Sequence, residues 1–404
     1  MKKLLFTIIS IFIFIPFINA QELPEEVGVT ADAVLVVNMQ TDDIVYEKNA
    51  DKVEILASLT KVMTAYTVLD HVEDLNQKVT ITDADIAALW GFTCAGLEVG
   101  DRVSYLDLLY AMMLVSGADA SQALAIHVGG SKEGFKNMMN EEAKKLGLKH
   151  TNFEDSYGGH DDNISTAKEY GILLKEALKN ETFKKVFGTN QYTLSNGLVV
   201  YNYTRNFAIY HGLDPDVITG NKSGYTPEAG LLLASTANVN NTEYMIIVMK
   251  CIPNEKLTTH VLDTYKIYDY LSNHHYSRKT LLQKGTVLKK IEVEDSTISE
   301  YVVTADKDIT LMLSDEDFGT IDYEYHIVNV ITPKNKIGDN LGYVDILING
   351  KVVETYSVYL RDEIFSYQEP SKIIVLVLIA LTFLILVLLC SNLLSHRPKH
   401  KFKK

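Results

Sequence analysis

One stretch, Ala57-Ser58-Leu59-Thr60-Lys61, decides the fold and the chemistry that this sequence predicts. An apolar run with helical character, Val62 to Leu69, follows it directly. If a helix begins near Ser58, the side chains of Ser58 and Lys61 lie on one face, one turn apart. A serine hydroxyl is a weak nucleophile until a base takes its proton, and a lysine amine can act as that base when desolvation or a nearby cation keeps it neutral. The pair is therefore a candidate nucleophile and base, although ordinary surface serines and lysines also show this spacing.

Strand-like and helix-like segments surround this stretch. Upstream, two runs separated by a turn at residues 40–43 predict a hairpin, and downstream, helical spacing alternates with buried strands. The predicted strands are Ala33–Met39, Ile44–Lys48, Leu231–Ala237 and Tyr244–Cys251. The predicted helices run from Ser58 to about Asp74, over Tyr105–Val115, from Ala120, over Glu133–Leu148, from a cap at Ser165 or Thr166 to about Leu178, and over Val261–Leu271.

The pattern changes after about residue 275. Short alternating runs, such as Val287–Val293, Ile309–Leu313 and Val344–Ile348, predict a small all-β domain over residues 276–367. The sequence shows no obvious catalytic cluster there, so we expect a spacer or an interaction module.

The N-terminal end has the features of an export signal. Lys2 and Lys3 precede an apolar run from Leu4 to Phe17, and a small-residue stretch ends at Ala20. This order predicts a secretory signal peptide over residues 1–20. A buried first helix or a membrane anchor is the alternative interpretation.

The C-terminal end has the features of a membrane anchor. The run from Ile373 to Leu389 is apolar except for Thr382, which predicts a transmembrane helix over residues 371–395. Residues 396–404 carry Arg397 and four lysines, and basic residues directly after a span mark the cytoplasmic side. We therefore expect a single-pass protein of the cell membrane, with its body outside the cell.

Composition excludes several functions. A formal net charge of -14 argues against nucleic acid as a partner. The sequence contains no zinc-type ligand spacing and no phosphate-binding loop, so we expect no metal and no cofactor. Of three cysteines, Cys390 falls in the predicted span, and we expect Cys94 and Cys251 to be free thiols because two cysteines do not make a disulfide framework.

Two further motifs follow Ser58-x-x-Lys61 in order: Ser116-Gly117-Ala118, at a junction between predicted helices, and Lys222-Ser223-Gly224, at the start of a predicted sheet region. The triplet resembles the S-x-x-K, S-x-N and K-T-G motifs of penicillin-binding proteins and serine β-lactamases. The surroundings are similar to the D-alanyl-D-alanine carboxypeptidases, the low-molecular-mass penicillin-binding proteins, in four stretches: Ala57–Thr64, Val99–Val103, Leu106–Tyr110 and Gly224–Gly230. The resemblance covers about residues 28 to 275 and implies an α+β fold, an antiparallel sheet flanked by helices, for a peptidase domain over residues 21–275.

The resemblance also implies roles for the matching residues. Ser58 would attack the carbonyl between two D-alanines, Lys61 would take its proton, and Ser116 would pass a proton toward the leaving amine. Lys222 would supply positive charge, and the Ser223 hydroxyl would bind the terminal carboxylate beside Gly224. The backbone N–H groups of Ser58 and Tyr225 would form the oxyanion hole.

The sequence departs from the family pattern at several positions. Ala118 replaces the asparagine of S-x-N, and we expect Asp119 or water to fill part of the gap. Ser223 replaces threonine and keeps a hydroxyl. His260 aligns loosely with a carboxylate-binding arginine. For His160, near the family's histidine- and glycine-containing loop, we favour a structural role.

These observations predict a membrane-anchored serine D-alanyl-D-alanine carboxypeptidase that acts on peptidoglycan pentapeptide stems and binds β-lactam antibiotics covalently. A serine β-lactamase is one alternative, disfavoured by the β domain, the predicted span and the lack of a clear deacylating glutamate motif between Ser116 and Lys222. A non-catalytic penicillin-binding receptor or scaffold is the other, favoured by Ala118 and His260.

Overall fold

A computed structural model describes residues 21–22, 24–274, 276–315, 318–366 and 372–395, and within the last range it describes side chains from 376 to 389. The contacts divide these residues into two units. The first contains the described residues up to Lys279 together with Thr310–Gly319, and the second contains Thr280–Ile309 and the described residues from Thr320 onward. The predicted signal peptide and basic tail lie outside the described residues.

Helices and strands alternate through the first unit, and strands dominate the second. The α-helices are α1 Lys61–His71, α2 Asp83–Ile86, α3 Tyr105–Leu114, α4 Ala118–Gly129, α5 Lys132–Lys145, α6 Ala167–Ala177, α7 Glu181–Phe187, α8 Tyr203–Tyr210, α9 Thr259–Asn273 and α10 Lys372–Ser395. The strands are β1 Gln21–Glu22, β2 Ala33–Asn38, β3 Ile44–Lys48, β4 Val53–Ile55, β5 Lys78–Thr80, β6 Arg102–Ser104, β7 Ile164–Thr166, β8 Gln191–Thr193, β9 Val199–Tyr201, β10 Ile218–Thr226, β11 Gly230–Val239, β12 Thr242–Cys251, β13 Tyr276–Leu282, β14 Val287–Val293, β15 Glu300–Thr304, β16 Ile309–Ser314, β17 Ile321–Ile327, β18 Val330–Ile331, β19 Asn340–Ile348 and β20 Lys351–Tyr359.

A six-stranded sheet, in the order β1-β3-β2-β12-β11-β10, forms the centre of the first unit. Only β1 pairs in parallel with its neighbour, and the other pairs are antiparallel. Along β2, Leu35 and Val37 belong to one apolar cluster while Val34 and Val36 belong to another. Helices α1, α3 and α6 contribute to the first cluster and α9 to the second. Burial on both faces explains why the central strands are unbroken apolar runs.

The predicted hairpin, the two buried strands and the closing helix are all present, as β2–β3, β11–β12 and α9. The helix predicted from Ser58 to Asp74 is wrong at both ends. Residues Ala57–Thr60 form a 3₁₀ helix, α1 begins at Lys61, and Val72 is already extended. A 3₁₀ helix has three residues per turn, so Ser58 and Lys61 still share a face.

Lys222-Ser223-Gly224 lies inside β10, the first of three consecutive strands of the sheet, in agreement with its predicted position at the start of a sheet region. β10 is an edge strand that pairs with β11, with Lys222 opposite Ala234 and Ser223 opposite Leu233. An edge strand leaves one row of backbone groups unpaired by the sheet, where a second chain can bind.

The second unit is all-β apart from α10. Two three-stranded sheets, β15-β14-β18 and β17-β19-β20, supply its framework. Buried residues alternate with exposed ones along β14 and β20, as the sequence predicted for this region. In the part of the chain described with side chains, no helix combines the length and the apolar character needed to cross a membrane. The predicted transmembrane helix is therefore not confirmed and stays a prediction.

Candidate active site

Ser58 and Lys61 form a hydrogen-bonded pair at the start of α1. The Lys61 Nζ donates to Ser58 Oγ at 3.0 Å and to the carbonyl oxygen of Tyr157 at 2.6 Å. Lys61 is only 1% exposed, and this burial lowers its pKa to about 7, although the carboxylates of Asp155 and Asp119 act in the opposite direction. A neutral Lys61 keeps an N–H for Tyr157 and presents its lone pair to the serine, which is the geometry of a nucleophile and its base.

Two glycines hold the backbone on either side of Ser58. A Cβ built on Gly158, which has a φ of +85°, would lie 1.8 Å from the carbonyl oxygen of Ala57. A Cβ built on Gly224 would lie 3.1 Å from the Ser58 backbone nitrogen. Ala57 itself is in the left-handed region, with φ 44°. The nucleophile therefore sits between two backbone segments that approach as closely as only glycine permits.

The loop after Phe153 aims the Tyr157 carbonyl at Lys61. The Asp155 carboxylate accepts hydrogen bonds from the backbone N–H groups of Tyr157, Gly158 and Gly159 at 2.9, 2.5 and 2.9 Å. The Ser156 carbonyl accepts from Thr64 Oγ1 of α1 and Ser121 Oγ of α4, both at 2.6 Å. Sequence reasoning noted this loop only through His160 and missed Asp155, for which the available signal was an aspartate shortly before two glycines.

Ser116 and Lys222 form a second pair. Ser116 lies between α3 and α4 with φ 64°, as the predicted junction requires. The Lys222 Nζ donates to Ser116 Oγ at 3.1 Å and to the Ser223 carbonyl at 2.7 Å. Lys222 is 2% exposed, and burial together with the nearby positive charge of Lys61 lowers its pKa well below the ordinary lysine value.

Asp119 does not replace the side-chain amide that is missing at Ala118. Its buried carboxylate accepts hydrogen bonds from the backbone N–H groups of Ala95 at 2.8 Å, Gly96 at 2.9 Å and Leu97 at 3.1 Å. Asp119 thus fixes the loop before β6 to the start of α4. The expectation that Asp119 fills the gap is wrong, because its oxygens are already committed to that loop.

A cavity of about 440 Å³ opens over the two pairs. It is lined by Ser58, Lys61, Gly91, Phe92, Thr93, Ser116, Ala118, Gly158, Gly159, Asp161, Tyr225, Thr226, Pro227 and Glu228. Of the predicted site residues, Ser58, Lys61, Ser116 and Tyr225 line this cavity, while Lys222, Ser223 and Gly224 precede Tyr225 on β10. The structure therefore brings all three motifs together.

His260 and His160, the two histidines that the sequence analysis singled out, differ in environment. His260 is 3% exposed, at the start of α9, and burial and the charge of Lys222 lower its pKa to about 4. Among the described residues its Nδ1 has no hydrogen-bond partner. His160 is exposed, and its Nδ1 accepts from the Asp162 N–H at 3.2 Å. It lies outside the residues that line the cavity, in agreement with a structural role in its loop.

The two cysteines of the first unit are free thiols, as expected. Cys94 is exposed, follows three residues that line the cavity, and has a thiol pKa raised mainly by desolvation. Cys251 is buried in the sheet. Among the residues that the structure describes, two groups of histidine and acidic side chains lie close enough together to hold a metal ion, Asp70–His71–Glu142 and Glu324–His326–Asp345, and neither includes a residue of the cavity.

We predict that Gly158→Ala destabilises the protein and slows acylation of Ser58. The positive φ costs alanine about 1–2 kcal/mol, and the contact with Ala57 adds a displacement of the nucleophile. Gly147→Ala is the matched control, because Gly147 also has a positive φ, +77°, but an added Cβ meets nothing within 4 Å. Urea unfolding and the penicillin acylation rate should show a larger loss for Gly158→Ala in both measurements. Equal losses in the two variants would contradict the close approach.

Ser58 is hydrogen-bonded to buried Lys61, and Ser116 is hydrogen-bonded to buried Lys222. This arrangement is typical of a serine hydrolase that works through an acyl-enzyme. Comparison with known families agrees with this class. Residues 19–252 match the D-alanyl-D-alanine carboxypeptidase family, and residues 276–365 match the C-terminal domain of penicillin-binding protein 5. The chain belongs to the D-alanyl-D-alanine carboxypeptidase family, and the predicted resemblance is confirmed.

Individual relatives are similar over most of the chain. A Bacillus subtilis D-alanyl-D-alanine carboxypeptidase, DacF, is 26% identical over 377 residues, which cover 90% of this chain and 95% of the relative. The crystal structure of the Francisella tularensis D-alanyl-D-alanine carboxypeptidase DacD has a TM-score of 0.64 at 19% identity and covers 87% of this chain and 96% of its own, which shows the fold. The crystal structure of the Streptomyces K15 DD-transpeptidase is 29% identical, has a TM-score of 0.54, and covers 62% of this chain and 98% of its own. The predicted α+β fold followed by an all-β domain is confirmed, and so is the predicted hydrolase activity.

Proposed function

We propose that this chain removes the terminal D-alanine from peptidoglycan pentapeptides through an acyl-enzyme on Ser58, and that penicillin acylates the same serine. The observation that carries the proposal is the 3.0 Å contact between Ser58 Oγ and the Nζ of a buried lysine whose pKa is lowered to about 7. Family membership supports the substrate class. The experiment that tests the proposal is a time course of D-alanine release from a pentapeptide, which continues through many turnovers if the chain is an enzyme.

The geometry supports a two-step mechanism. Lys61 takes the Ser58 proton as Oγ attacks the carbonyl between the two D-alanines. The backbone N–H groups of Ser58 and Tyr225 then stabilise the oxyanion. When the tetrahedral intermediate collapses, the leaving amine accepts a proton through Ser116, which hydrogen-bonds Lys222. Water attacks the resulting ester and releases the shortened peptide and free Ser58.

In this proposal, Lys222 and Ser223 bind the terminal carboxylate of the substrate. A carboxylate beside Lys222 favours its charged form and so opposes the effect of burial on the lysine pKa. His260 is neutral above pH 4 because of its lowered pKa, so it contributes no positive charge at neutral pH. The charge for carboxylate binding therefore comes from Lys222.

We expect Ala118→Asn to raise the acylation rate without changing the attachment site. Ala118 lines the cavity, so an amide at this position can reach the substrate or Lys61. A neutral hydrogen bond contributes about 0.5–1.5 kcal/mol, which corresponds to a rate increase of about two- to tenfold. The measurement is the second-order rate constant for penicillin acylation. A slower Ala118→Asn variant would show that the residues around position 118 are packed for alanine and do not accommodate the amide.

A non-catalytic receptor is the second candidate, because Ala118 and the neutral His260 remove two polar contacts found in the resembled family. A receptor would be inert or acylated once and would release no steady D-alanine. If wild type is inert and Ala118→Asn raises the acylation rate by several orders of magnitude, the protein is a receptor and not an enzyme. A β-lactamase would instead hydrolyse penicillin rapidly, and family membership argues against it.

We propose that the chain is exported and anchored in the cell membrane as a single-pass protein. The signal-like residues 1–20, the apolar run from Ile373 to Leu389 and the basic tail support this proposal. Deleting the residues after Glu369 should release a soluble, active protein. Protease added to intact cells should remove the body and spare the tail, and digestion of the tail from outside would overturn the orientation.

A further inference from the structure

Three side chains that can bind a metal ion lie together on one face of the β17-β19-β20 sheet. Glu324 and His326 are two residues apart on β17, and successive side chains of a strand alternate between faces, so both point to the same side. Asp345 on β19 is the cross-strand neighbour of Glu324. The ligand atoms of the three side chains all lie within 4.8 Å of one another, and none of the three residues lines the catalytic cavity. Strand pairing, not sequence spacing, brings them together, which is why the sequence predicted no metal site.

The two carboxylates of this group repel each other unless a cation lies between them. Glu324 and Asp345 stand directly opposite each other on antiparallel strands, where like charges destabilise a sheet. Among the residues that the structure describes, neither carboxylate forms an ion pair with a lysine or an arginine, and the basic side chain beside both is His326. The repulsion is therefore relieved either by a protonated His326 or by an ion that all three side chains bind.

The distances favour a bound ion. The Nε2 atom of His326 lies 3.5 Å from Asp345 Oδ2 and 4.0 Å from Glu324 Oε2. A charge-assisted hydrogen bond from a protonated imidazole has a length of about 2.7–2.9 Å, so both distances are too long for one. Two ligand atoms that each lie about 2.1 Å from a zinc ion are about 3.4 Å apart at the tetrahedral angle. The gap between the three side chains thus has the size of one zinc ion and its bonds.

Neighbouring side chains hold two of the three ligands in place. Thr355 Oγ1, on β20, donates a hydrogen bond to Asp345 Oδ1, while the other carboxylate oxygen, Oδ2, faces His326. The His326 ring stacks on the Tyr343 ring, with centroids 4.6 Å apart and an angle of 26° between the ring planes. Contacts of this kind, made by residues outside the ligand set, orient the ligands of metal sites.

The group Asp70–His71–Glu142 of the first unit lacks these features. Asp70 and His71 are adjacent on α1, and neighbouring residues of a helix do not face each other. Lys145 Nζ donates to Glu142 Oε1 at 2.7 Å and already supplies a cation there. This group therefore provides a matched control with the same residue types.

We propose that Glu324, His326 and Asp345 bind one zinc ion, with water at the remaining coordination position, and that this ion stabilises the pairing of β17 with β19. Zinc accepts an imidazole nitrogen together with carboxylate oxygens, whereas magnesium and calcium ions are bound in proteins chiefly through oxygen. Glu324 and His326 are exposed, so zinc can enter from solvent without any opening of the sheet. The inference goes beyond the proposed carboxypeptidase function and does not depend on it.

The test uses untagged full-length protein in detergent, stripped with a chelator and then titrated with zinc chloride. We expect one zinc ion per chain by equilibrium dialysis and elemental analysis. The thermal unfolding midpoint should rise by about 5 °C or more when free zinc exceeds its dissociation constant by about 100-fold. Magnesium chloride and calcium chloride at the same concentrations should give neither response. Thr355→Val, which removes the hydrogen bond to Asp345, should weaken zinc binding by about tenfold.

Two variants separate metal binding from a purely structural role. Glu324→Gln/Asp345→Asn removes both charges and their repulsion, so without zinc it should melt at or above the wild-type temperature, yet it should no longer respond to zinc. His326→Ala should lose both the bound ion and the shift in midpoint, while the matched control His71→Ala should keep both. Zinc binding that persists in His326→Ala would overturn the inference. Wild-type protein that binds no stoichiometric zinc would also overturn it, and protonated His326 would then be the cation.

Discussion

Replacing Ser58 with alanine abolishes both D-alanine release and covalent penicillin binding. Without Oγ there is no nucleophile, and the remaining polar groups of the cavity cannot form an ester. Removal of the nucleophile from a serine hydrolase lowers kcat by about 10⁶-fold, so the residual rate falls to the assay background. The measurements are steady-state release of D-alanine from a pentapeptide and labelling with a fluorescent penicillin.

The same experiment needs a control showing that the Ser58→Ala variant is folded. Ser58 is half-buried and its side chain makes one hydrogen bond, to Lys61, so Ser58→Ala should melt within a few degrees of wild type. Ser116→Ala, which removes the bond to Lys222 but keeps the nucleophile, should be slower than wild type and still labelled. A Ser58→Ala protein that is folded and still labelled would show that another residue is the nucleophile.

Replacing Lys61 with arginine should remove most of the acylation rate. Arginine stays protonated at any pH that proteins tolerate, so it cannot accept the Ser58 proton. General-base catalysis contributes about 10²- to 10⁴-fold, and the loss should fall in that range or above it because the longer side chain must also displace Tyr157. The comparison is the second-order rate constant for penicillin acylation by wild type and variant.

The pH profile of wild type gives an independent check on Lys61. A base is active in its neutral form, and the neutral fraction of an amine increases as pH rises through its pKa. Since the pKa of Lys61 is lowered to about 7, the acylation rate should climb between about pH 6 and 8 and then level off. Lys136→Arg, an exchange at a partly exposed lysine paired with Glu133 and Glu154, should keep this profile. A flat wild-type profile, or a Lys61→Arg variant of normal rate, would contradict the assignment.

Local spacing is what made the nucleophile predictable. Ser58 and Lys61 are three residues apart, and both a 3₁₀ and an α turn place such residues on one face, so the wrong helix start did not affect the pairing. Ser116 was predictable for a similar reason, because the break between two helical patterns marks a junction. The β2–β3 hairpin and the buried strands β11 and β12 followed from short apolar runs bounded by turns.

Contacts between distant segments were not predictable in the same way. Tyr157 binds Lys61 across 96 positions of sequence, and no periodicity connects them. The left-handed φ of Ala57 occurs where Gly158 and Gly224, both distant in sequence, approach the backbone of this segment closely. The commitment of Asp119 to the loop at Ala95–Leu97 was equally invisible, since a side chain beside a motif can point toward it or away from it.

Penicillin and the peptide substrate are expected to acylate the same serine, Ser58, which the neutral amine of Lys61 activates. The most direct measurement is mass spectrometry of wild-type protein after reaction with benzylpenicillin, followed by peptide mapping of the adduct. The predicted result is one adduct per chain, carried by the peptide that contains Ser58. An adduct on Ser116, Ser223 or any other residue would contradict the account.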